Sequence, residues 1–293
     1  MLYMIQEGIS VIIPAYNEAH AVADTIRRAF SVCALIGKPH EVIVVDDGST
    51  DGTGCLAVEA GARVLRNPAN GGYGLSLQRG VRAATHGIIA ITDADGTYPI
   101  EEMPHLYADM QKGFDMAVGA RQGKVYEGSL VKSVSRKIFK WLAEYVAGRH
   151  IPDINSGLRM FRRDLTLPHL QRTCFGFSFT TSLTLIFMLQ GYFVSYMPID
   201  YRARVGKTKV RHMRDTLRTL QIMTQVILRY NPVKLFLLYA VLIGVAAALV
   251  GAVGAWLEHD STVLGAWILL GAAAVTMAMG FLASAIEASK SLQ

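Results

Sequence analysis

The chain has few of the residues that mark disulfide-bonded or zinc-binding proteins. It contains three cysteines in 293 residues, Cys33, Cys55 and Cys174, and they form neither a CxxC pair nor a Cys/His cluster. An odd number of widely spaced cysteines gives no indication of a disulfide framework or of a structural zinc site. We interpret these residues as small buried thiols in a reducing compartment.

Two common phosphate-binding motifs are also missing. The first predicted strand is followed by PAYNEAH (Pro14 to His20), which contains no glycine, so the GxGxxG pattern of dinucleotide-binding folds is absent. No GxxxxGK[ST] sequence occurs either. The stretch NGGYG (Asn70 to Gly74) could bring backbone N–H groups to a phosphate at the start of a helix. It could equally be a structural turn.

Hydrophobic residues, by contrast, are abundant. They make up 52% of the sequence, and the mean hydropathy of +0.30 is high for an ordinary soluble enzyme. Two uncharged runs stand out, of 23 residues from Leu235 to Leu257 and of 24 residues from Val263 to Ile286. Each is long enough to cross a bilayer as a helix. Only EHDST separates them, so we expect a tight hairpin whose outer ends lie on one side of a membrane.

The net charge of +6 is unevenly distributed. Such a charge can indicate nucleic acid, anionic lipid or phosphorylated substrates as partners. Residues 202–234 hold nine Lys or Arg and one acidic residue, and the hairpin loop holds no Lys or Arg. The positive-inside rule then predicts cytoplasmic termini and a cytoplasmic N-terminal domain. We expect a bacterial or archaeal plasma membrane, no nucleic-acid partner and no cleaved signal sequence.

The basic segment contains an amphipathic pattern. In RHMRDTLRTLQIMTQVILR, apolar residues recur at spacings of three and four, at Met213, Leu217, Leu220, Met223 and Ile227. Such a helix could lie at the lipid headgroup boundary or pack on the soluble domain. The predicted organisation is a domain of residues 1–210, a juxtamembrane segment 211–232, and transmembrane helices 233–257 and 263–286.

The N-terminal two hundred residues alternate between strand and helix patterns. The predicted strands are ISVIIPAY, EVIVVDD, ARVLR, GIIAITD and FDMAVGA, and the predicted helices span residues 18–36, 53–59, 72–84 and 100–112. This alternation predicts an α/β fold with a mostly parallel central sheet and helices on both faces. Ligands of such sheets collect beyond the carboxyl ends of the strands.

Polar residues are concentrated at that predicted edge. They are Tyr16, Asn17 and Glu18 after the first strand, Asp46 and Asp47 after the second, Asp93 and Asp95 after the fourth, and Arg121 after the fifth. The pair in IIAITDADGTYP places two like charges together, which a divalent cation between them would relieve. The alternative is that the two aspartates cap a helix or solvate a loop. Several carboxylates at one edge favour a metal-dependent enzyme that binds a nucleotide-like ligand.

Four segments, VIIPAYNEA, VIVVDDGSTDGT, ITDADGTYP and DINSGLRMFRRD, occur in this order and resemble the family 2 glycosyltransferases of GT-A fold. With the C-terminal hairpin, the chain is most similar to the polyprenyl-phosphate glycosyltransferases, which include dolichol-phosphate mannose synthase and bacterial undecaprenyl-phosphate sugar transferases. The resemblance implies inverting, metal-dependent transfer of a hexose from a UDP-sugar or GDP-sugar to undecaprenyl or dolichyl phosphate.

The resemblance also implies roles for individual residues. Those expected to border the nucleotide sugar are Pro14, Ala15, Tyr16, Glu18, Asp46, Asp47 and Asp93. Mg²⁺ or Mn²⁺ is expected on Asp93 and Asp95, with Asp95 the stronger candidate. Thr97 stands where relatives often have a glutamine ligand and is the third candidate. Asp95, Arg121 and Arg159 are the expected catalytic residues.

The expected contacts of the acceptor phosphate are Lys132, Ser135, Arg136, Ser156, Arg202, Arg204, Lys207 and Lys209. For the basic residues, contact with lipid headgroups alone is the alternative. A polysaccharide synthase is a less favoured interpretation, because the QxxRW motif of those enzymes is absent. A non-catalytic membrane scaffold of GT-A fold is another. Glycines in both apolar runs, such as Gly244 and Gly271, permit a homo-oligomer through close helix packing.

Overall fold

The computed structural model describes residues 8–122, 140–173, 178–202 and 212–290. The chain divides into two compact units, Met1–Ile222 and Met223–Gln293. Each unit is described by itself below.

The first unit is built on a seven-stranded sheet. Its strands are β1 (Ile9–Ala15), β2 (His40–Asp46), β3 (Arg63–Arg66), β4 (Ile88–Ile91), β5 (Met116–Gln122), β6 (Arg159–Arg162) and β7 (Val194–Asp200), in the order β3-β2-β1-β4-β6-β5-β7. The pairings of β6 with β4 and β5 are antiparallel and the other four are parallel. The predicted mostly parallel sheet is confirmed, and β6 and β7 are additional to the predicted strands.

Helices cover both faces of this sheet. They are α1 (Val22–Ile36), α2 (Thr53–Glu59), α3 (Tyr73–Ala83), α4 (Met103–Gln111) and α5 (Phe179–Leu189). Along β1, Val11 and Ile13 pack into the hydrophobic cluster beneath α1, α2 and α4, while Ile12 packs into the cluster beneath α3 and α5. Successive side chains of a strand point to opposite faces, so a strand covered on both sides is apolar throughout.

Helix α1 begins later than predicted. The sequence pattern predicts a start at Glu18, whereas the helix starts at Val22, after a turn in which the N–H groups of Ala21 and Val22 donate to the carbonyl of Glu18. The helix ends where Gly37, with φ of 71°, donates its N–H to the carbonyls of Cys33 and Ala34. Glycine adopts this left-handed conformation without steric cost.

The second unit contains the two apolar helices. Helix α6 (His212–Tyr230) crosses the boundary between the units, and α7 (Pro232–Trp256) and α8 (Asp260–Lys290) follow it. Both α7 and α8 are long and apolar enough to cross a membrane, and only 6% of the most apolar window of each is buried.

Small residues bring α7 and α8 together as a hairpin. A Cβ added to Gly254 would collide with Thr262, and one added to Gly280 would lie 2.6 Å from Phe236. These two contacts pair the end of α7 with the start of α8 and the start of α7 with the end of α8, so the helices are antiparallel. Such close contacts are typical of membrane helix pairs.

Candidate active site

The candidate residues lie at the carboxyl end of the parallel strands, where α/β proteins bind ligands. Asp93 and Asp95 follow β4, and the loops after β1 and β2 lie beside them in the sheet order. Pro14 and Ala15 are buried in the last part of β1, and they pair with Val45 and Asp46 of β2.

The loop after β1 is fixed to the loop after β2. The backbone N–H of Asn17 donates to Ser49 Oγ at 3.0 Å, and that of Glu18 donates to Thr53 Oγ1 at 2.9 Å. In return, Thr50 donates its N–H to Asn17 Oδ1 at 2.9 Å. These bonds give a role to two hydroxyl residues of the DGSTDGT segment, Ser49 and Thr53, which accept N–H groups of the YNE segment. They hold the backbone around Tyr16 and Glu18 in one position at the sheet edge.

Asp46 ends β2 and is almost completely buried. Its Oδ1 accepts the N–H of Ser49 at 2.9 Å, and its Oδ2 lies 3.7 Å from Arg66 Nε. A Cβ on Gly54 would approach Oδ2 to 2.6 Å, so a side chain at that position would displace the carboxylate.

Asp47 binds the start of helix α3. Its carboxylate accepts the N–H of Gly71 at 2.9 Å and that of Gly72 at 2.8 Å, together with the side-chain amide of Asn67. A helix N-terminus favours negative charge because its first N–H groups have no partner within the helix. The NGGYG stretch therefore forms a structural turn in which an internal carboxylate binds these two N–H groups. Asp47 is the residue that holds it.

Asp93 contacts two other elements of the fold. Its Oδ1 accepts the hydroxyl of Tyr73, the first residue of α3, at 2.9 Å. On another side, a Cβ added to Gly157 would lie 3.0 Å from the same oxygen. Burial and the charge of Asp93 both raise the pKa of the Tyr73 hydroxyl, which therefore stays protonated and able to donate.

Asp95 is oriented by Thr97. Its Oδ1 accepts the N–H of Thr97 at 3.1 Å and the Thr97 hydroxyl at 2.7 Å. Thr97 is completely buried. The Thr97 hydroxyl proton is donated to Asp95 from within the protein, so this residue orients a candidate ligand. Thr97 as a third metal ligand stays a prediction, because a donating hydroxyl keeps its oxygen lone pairs.

The two aspartates fit a divalent cation of the magnesium type. Within the described ranges, no three His, Cys, Asp or Glu side chains converge as a metal-binding group. Mg²⁺ in phosphate-transferring sites is commonly held by one or two carboxylates, with substrate phosphates and water completing its shell. Two carboxylates with one residue between them, at the ligand-binding edge, supply hard oxygen donors of this kind. The structure thus supports Asp93 and Asp95 as the protein's share of such a site.

Arg121 lies within β5, whereas the sequence pattern had placed it after that strand. Its Nε and Nη2 donate to the carboxylate of Asp153 at 2.7 and 2.9 Å, and its guanidinium lies 5.5 Å from the centre of the Tyr201 ring. Sequence analysis did not single out Asp153, although it begins the DINSGLR segment. The sequence did offer one signal. An acidic residue such as Asp153 in a segment expected to bind phosphates would repel them unless a cationic side chain paired with it.

Arg159 occupies a different environment from the one expected. It is completely buried in β6. Its Nε donates to the carbonyl of Ser156 at 3.0 Å, and its Nη1 donates to the carbonyl of Thr180 at 3.1 Å and to the hydroxyl of Thr184 at 2.8 Å. Burial lowers its pKa, because the low-dielectric interior disfavours the charged form. The prediction of direct contact with a phosphate is corrected, since these donors bind protein oxygens.

Ser156 is likewise part of the interior. Its hydroxyl donates to the carbonyl of Gly119 in β5 at 2.5 Å, and the side chain is completely buried. The expected contact with an acceptor phosphate is therefore corrected to a structural one. This bond fixes the segment before β6 to the neighbouring strand.

Two tyrosines complete this side of the site. Tyr98 accepts the N–H of Gly157 on its hydroxyl at 2.7 Å, and its ring meets that of Tyr201 edge-on at 5.1 Å. Neither tyrosine, nor Tyr73, was singled out from the sequence, because an aromatic residue beside a strand usually belongs to the core. Through these contacts, Tyr98 connects the DAD loop to Gly157 before β6 and to Tyr201 after β7.

Arg202 is the one expected acceptor residue of the basic segment within the described ranges. Its N–H donates to the carbonyl of Thr97 at 3.0 Å, and its Nη2 lies 3.4 Å from Glu101 Oε2. The other expected basic and hydroxyl contacts lie outside the described residues; they are Lys132, Ser135, Arg136, Arg204, Lys207 and Lys209.

Solved structures show the same fold. Glucosyl-3-phosphoglycerate synthase from Mycobacterium tuberculosis, solved with Mn²⁺, uridine diphosphate and phosphoglyceric acid, superposes with a TM-score of 0.60 at 20% identity over 77% of this chain and 79% of that one. The same protein with Mg²⁺ and uridine diphosphate gives a TM-score of 0.59 at 21% identity over 76% and 79% of the two chains. At this identity the likeness establishes the GT-A fold alone.

Curated relatives are similar over part of their length. An undecaprenyl-phosphate 4-deoxy-4-formamido-L-arabinose transferase of Klebsiella pneumoniae subsp. pneumoniae is 31% identical over 163 residues, which are 54% of this chain and 49% of the relative. A protein of the same name from Salmonella paratyphi B is 32% identical over the same shares. The chain thus spans about half the length of these relatives. Residues 10–181 match the family described as Glycosyl transferase family 2, and the chain belongs to that family.

Proposed function

We propose that the protein is an inverting glycosyltransferase that moves a hexose from a nucleotide-diphosphate sugar to a polyprenyl phosphate. The observation that carries the proposal is the Asp93 and Asp95 pair at the carboxyl end of β4, each aspartate held by a hydroxyl donor, in a family 2 chain that also has two apolar helices. The curated relatives, named as undecaprenyl-phosphate sugar transferases, support this class of acceptor.

The donor is proposed to be a UDP-sugar or a GDP-sugar. The nucleotide would lie along the carboxyl ends of β1 and β2, beside Pro14, Ala15, Tyr16, Glu18 and Asp46. The hydrogen bonds between the two loops hold this surface in place. Asp47 was expected to face base or ribose, but its carboxylate binds backbone N–H groups, so we assign it to the support of this surface.

Mg²⁺ or Mn²⁺ would be held by Asp93 and Asp95. When bound, such an ion neutralises the negative charge that develops on a departing diphosphate. The chain's own contribution is orientation: Tyr73 and Thr97 each donate a hydroxyl proton to one of the two carboxylates. A carboxylate held in this way keeps its geometry without reorganisation during the reaction.

The acceptor needs positive charge more than it needs a strong base. A phosphate monoester has a second pKa near ~6 and is mostly dianionic at neutral pH, so its oxygen can attack without first losing a proton to the protein. Direct attack opposite the leaving diphosphate inverts the anomeric carbon. Arg121 lies against the ring of Tyr201, and Arg202 donates its N–H to the Thr97 carbonyl, but each guanidinium also contacts a carboxylate. We therefore assign the acceptor phosphate mainly to Lys132, Ser135, Arg136, Arg204, Lys207 and Lys209.

The membrane would present the lipid phosphate to the catalytic domain. We propose that α7 and α8 cross a bacterial or archaeal plasma membrane, with the catalytic domain and both termini in the cytoplasm and α6 at the headgroup boundary. The basic residues between 202 and 234 support this orientation through the positive-inside rule. A homo-oligomer formed through α7 and α8 is proposed on their small residues.

A transfer assay tests the function. The purified full chain would be incubated in detergent with undecaprenyl phosphate and radiolabelled UDP-sugars and GDP-sugars, with Mg²⁺ or Mn²⁺ and with EDTA. Label in the lipid phase that requires the metal and is lost in Asp95→Asn supports the proposal. Nucleotide binding without transfer to any polyprenyl phosphate would contradict it and favour a non-catalytic scaffold.

A further inference from the structure

Tyr73 connects the first aspartate of the DAD loop to a rigid element. The tyrosine is the first residue of α3, a helix held on the sheet by the buried side chains of Leu77 and Val81. Its ring packs against the same hydrophobic cluster, and its hydroxyl reaches Asp93 Oδ1 at 2.9 Å. The position of the donor is thus set by the core and not by the loop that carries Asp93.

Gly157 confines the same carboxylate from another direction. A Cβ at this position would lie 3.0 Å from Asp93 Oδ1, 3.2 Å from Asp93 Oδ2 and 3.0 Å from the ring of Tyr98. The backbone of Gly157 is itself fixed, because its N–H donates to the Tyr98 hydroxyl at 2.7 Å. A Cβ at these distances would press on the carboxylate and on the Tyr98 ring, and glycine removes that pressure.

The start of α3 is fixed as well. The two N–H groups just before Tyr73, from Gly71 and Gly72, are bound by the carboxylate of Asp47. A shift of this helix end would therefore break three hydrogen bonds at once. The chain thus links the end of β2 to the aspartate that follows β4 through the first residue of α3.

We infer that Tyr73 is a positioning residue for Asp93, which it orients toward a divalent cation while the backbone of Gly157 limits the space beside the same carboxylate. The inference rests on the proposed function, in which Asp93 is a metal ligand. It assigns a task to Tyr73 that the NGGYG segment did not reveal. Hydrogen-bond partners of ligating side chains commonly change metal affinity by about 10-fold to 100-fold when they are removed.

The test is Mn²⁺ binding by the full-length Tyr73→Phe variant, which keeps the ring and loses the hydroxyl. Free Mn²⁺ would be measured by electron paramagnetic resonance during a titration in the presence of UDP. We expect the dissociation constant of Mn²⁺ to rise about 10-fold or more, with a thermal unfolding midpoint close to that of the unchanged protein. An unchanged Mn²⁺ affinity would overturn the inference.

Tyr192→Phe is the matched control. Tyr192 also belongs to the core cluster on this face, where its ring meets Phe187 edge-on at 5.2 Å, but it lies before β7 at the opposite edge of the sheet. Its substitution should leave Mn²⁺ affinity unchanged. If both variants weakened Mn²⁺ binding equally, the effect would come from general loosening of the core, and the inference would be wrong.

A second pair of variants keeps this inference separable from the proposed function. Asp93→Asn and the double variant Asp93→Asn/Tyr73→Phe should bind Mn²⁺ with equal affinity, because Tyr73 acts through the carboxylate. If the double variant bound Mn²⁺ more weakly than Asp93→Asn, Tyr73 would act independently of Asp93 and the inference would be wrong. If the unchanged protein bound UDP but no Mn²⁺ in its presence, the proposed metal site itself would fail, whatever Tyr73 does.

Discussion

Asp153 holds the guanidinium of Arg121 through two side-by-side hydrogen bonds, from Nε to Oδ2 at 2.7 Å and from Nη2 to Oδ1 at 2.9 Å. The backbone N–H of Arg121 donates to the same carboxylate at 3.2 Å. Burial alone would raise the pKa of Asp153, but the hydrogen bonds and charge of Arg121 outweigh it and hold the pKa below its ordinary value. The pair fixes the last residues of β5 to the segment before β6.

This lowered pKa predicts a stability that depends on pH. The pair's contribution is fully present above the ordinary aspartate pKa of about 3.9 and is lost as pH falls through the lower pKa of the folded state. At pH 7, Asp153→Asn should cost about 3 kcal/mol, because it leaves a mostly buried guanidinium without its counter-charge. Thermal unfolding of the detergent-solubilised protein between pH 7 and pH 3 measures this.

The control for that experiment is Asp164→Asn. Asp164 pairs with Arg162 at 3.1 Å, but both side chains are more than two-fifths exposed, so the substitution should change stability little. A difference between Asp153→Asn and the unchanged protein that did not shrink at all as pH fell below about 3.9 would show that the ion pair is not its source.

Thr97 should matter for activity through Asp95. Asp95→Ala is expected to lower transfer by about 100-fold or more while the protein stays folded, because a carboxylate at the sheet edge contributes little to the core. Thr97→Val should lower it by about 10-fold, since it removes only the hydroxyl that orients Asp95. Initial rates at saturating donor would be compared, with Thr97→Ser as the variant that keeps the hydroxyl. Equal loss in Thr97→Ser and Thr97→Val would argue against orientation as the cause.

Arg159 should matter for folding. Arg159→Met removes the donors to the carbonyls of Ser156 and Thr180, and each buried acceptor left without a partner costs about 1–3 kcal/mol. We therefore expect a loss of roughly 3–5 kcal/mol of stability, measured by thermal unfolding. Arg162→Met, three residues further along at the end of β6 and with a side chain 42% exposed, should be nearly neutral. A folded, stable and inactive Arg159→Met protein would instead return this residue to the reacting groups.

Asp47 should control the first turn of α3. Asp47→Ala removes the acceptor for the N–H groups of Gly71 and Gly72, so their amide hydrogen exchange should become faster than in the unchanged protein. Exchange in the middle of α1 should stay the same and serves as the internal control. Unchanged exchange at both glycines would mean that other groups fix this turn.

The apolar helices should set the preference for long acceptors. A chain ending at Asn231 lacks α7 and α8 and should be more soluble, with poor transfer to long polyprenyl phosphates and better retained transfer to short ones. Partition into detergent-free buffer and the ratio of the two rates measure this. Full activity on undecaprenyl phosphate in detergent-free buffer would contradict a role for the membrane in presenting the lipid.

The sequence predicted most of the sheet because β1 to β5 have strongly periodic or continuously apolar patterns. The strand β6 was missed because RMFR begins and ends with arginine, and a sequence pattern does not show that Arg159 donates to carbonyls far along the chain. The strand β7 contains Pro198, which is tolerated because, among the strands of the described ranges, β7 lies at the edge of the sheet and pairs with β5 alone.

The candidate site was predictable to a similar extent. The position of Asp93 and Asp95 followed from the apolar run before them. The sequence did not show which polar side chains hydrogen-bond within the protein. Asp47 accepts N–H groups 24 and 25 residues away, and Ser156 donates to a carbonyl 37 residues away. Such partners become neighbours only when the strands are ordered in the sheet.

The carboxylate of Asp47 before α3 also bears on how a ligand's charge is balanced. A nucleotide-binding protein that offers free main-chain N–H groups before a helix can balance part of its ligand's charge with them. Here the N–H groups of Gly71 and Gly72 are bound by an internal carboxylate. In the proposed reaction, these two groups are not offered to the diphosphate, and the balancing of its charge falls to the divalent cation and to basic side chains.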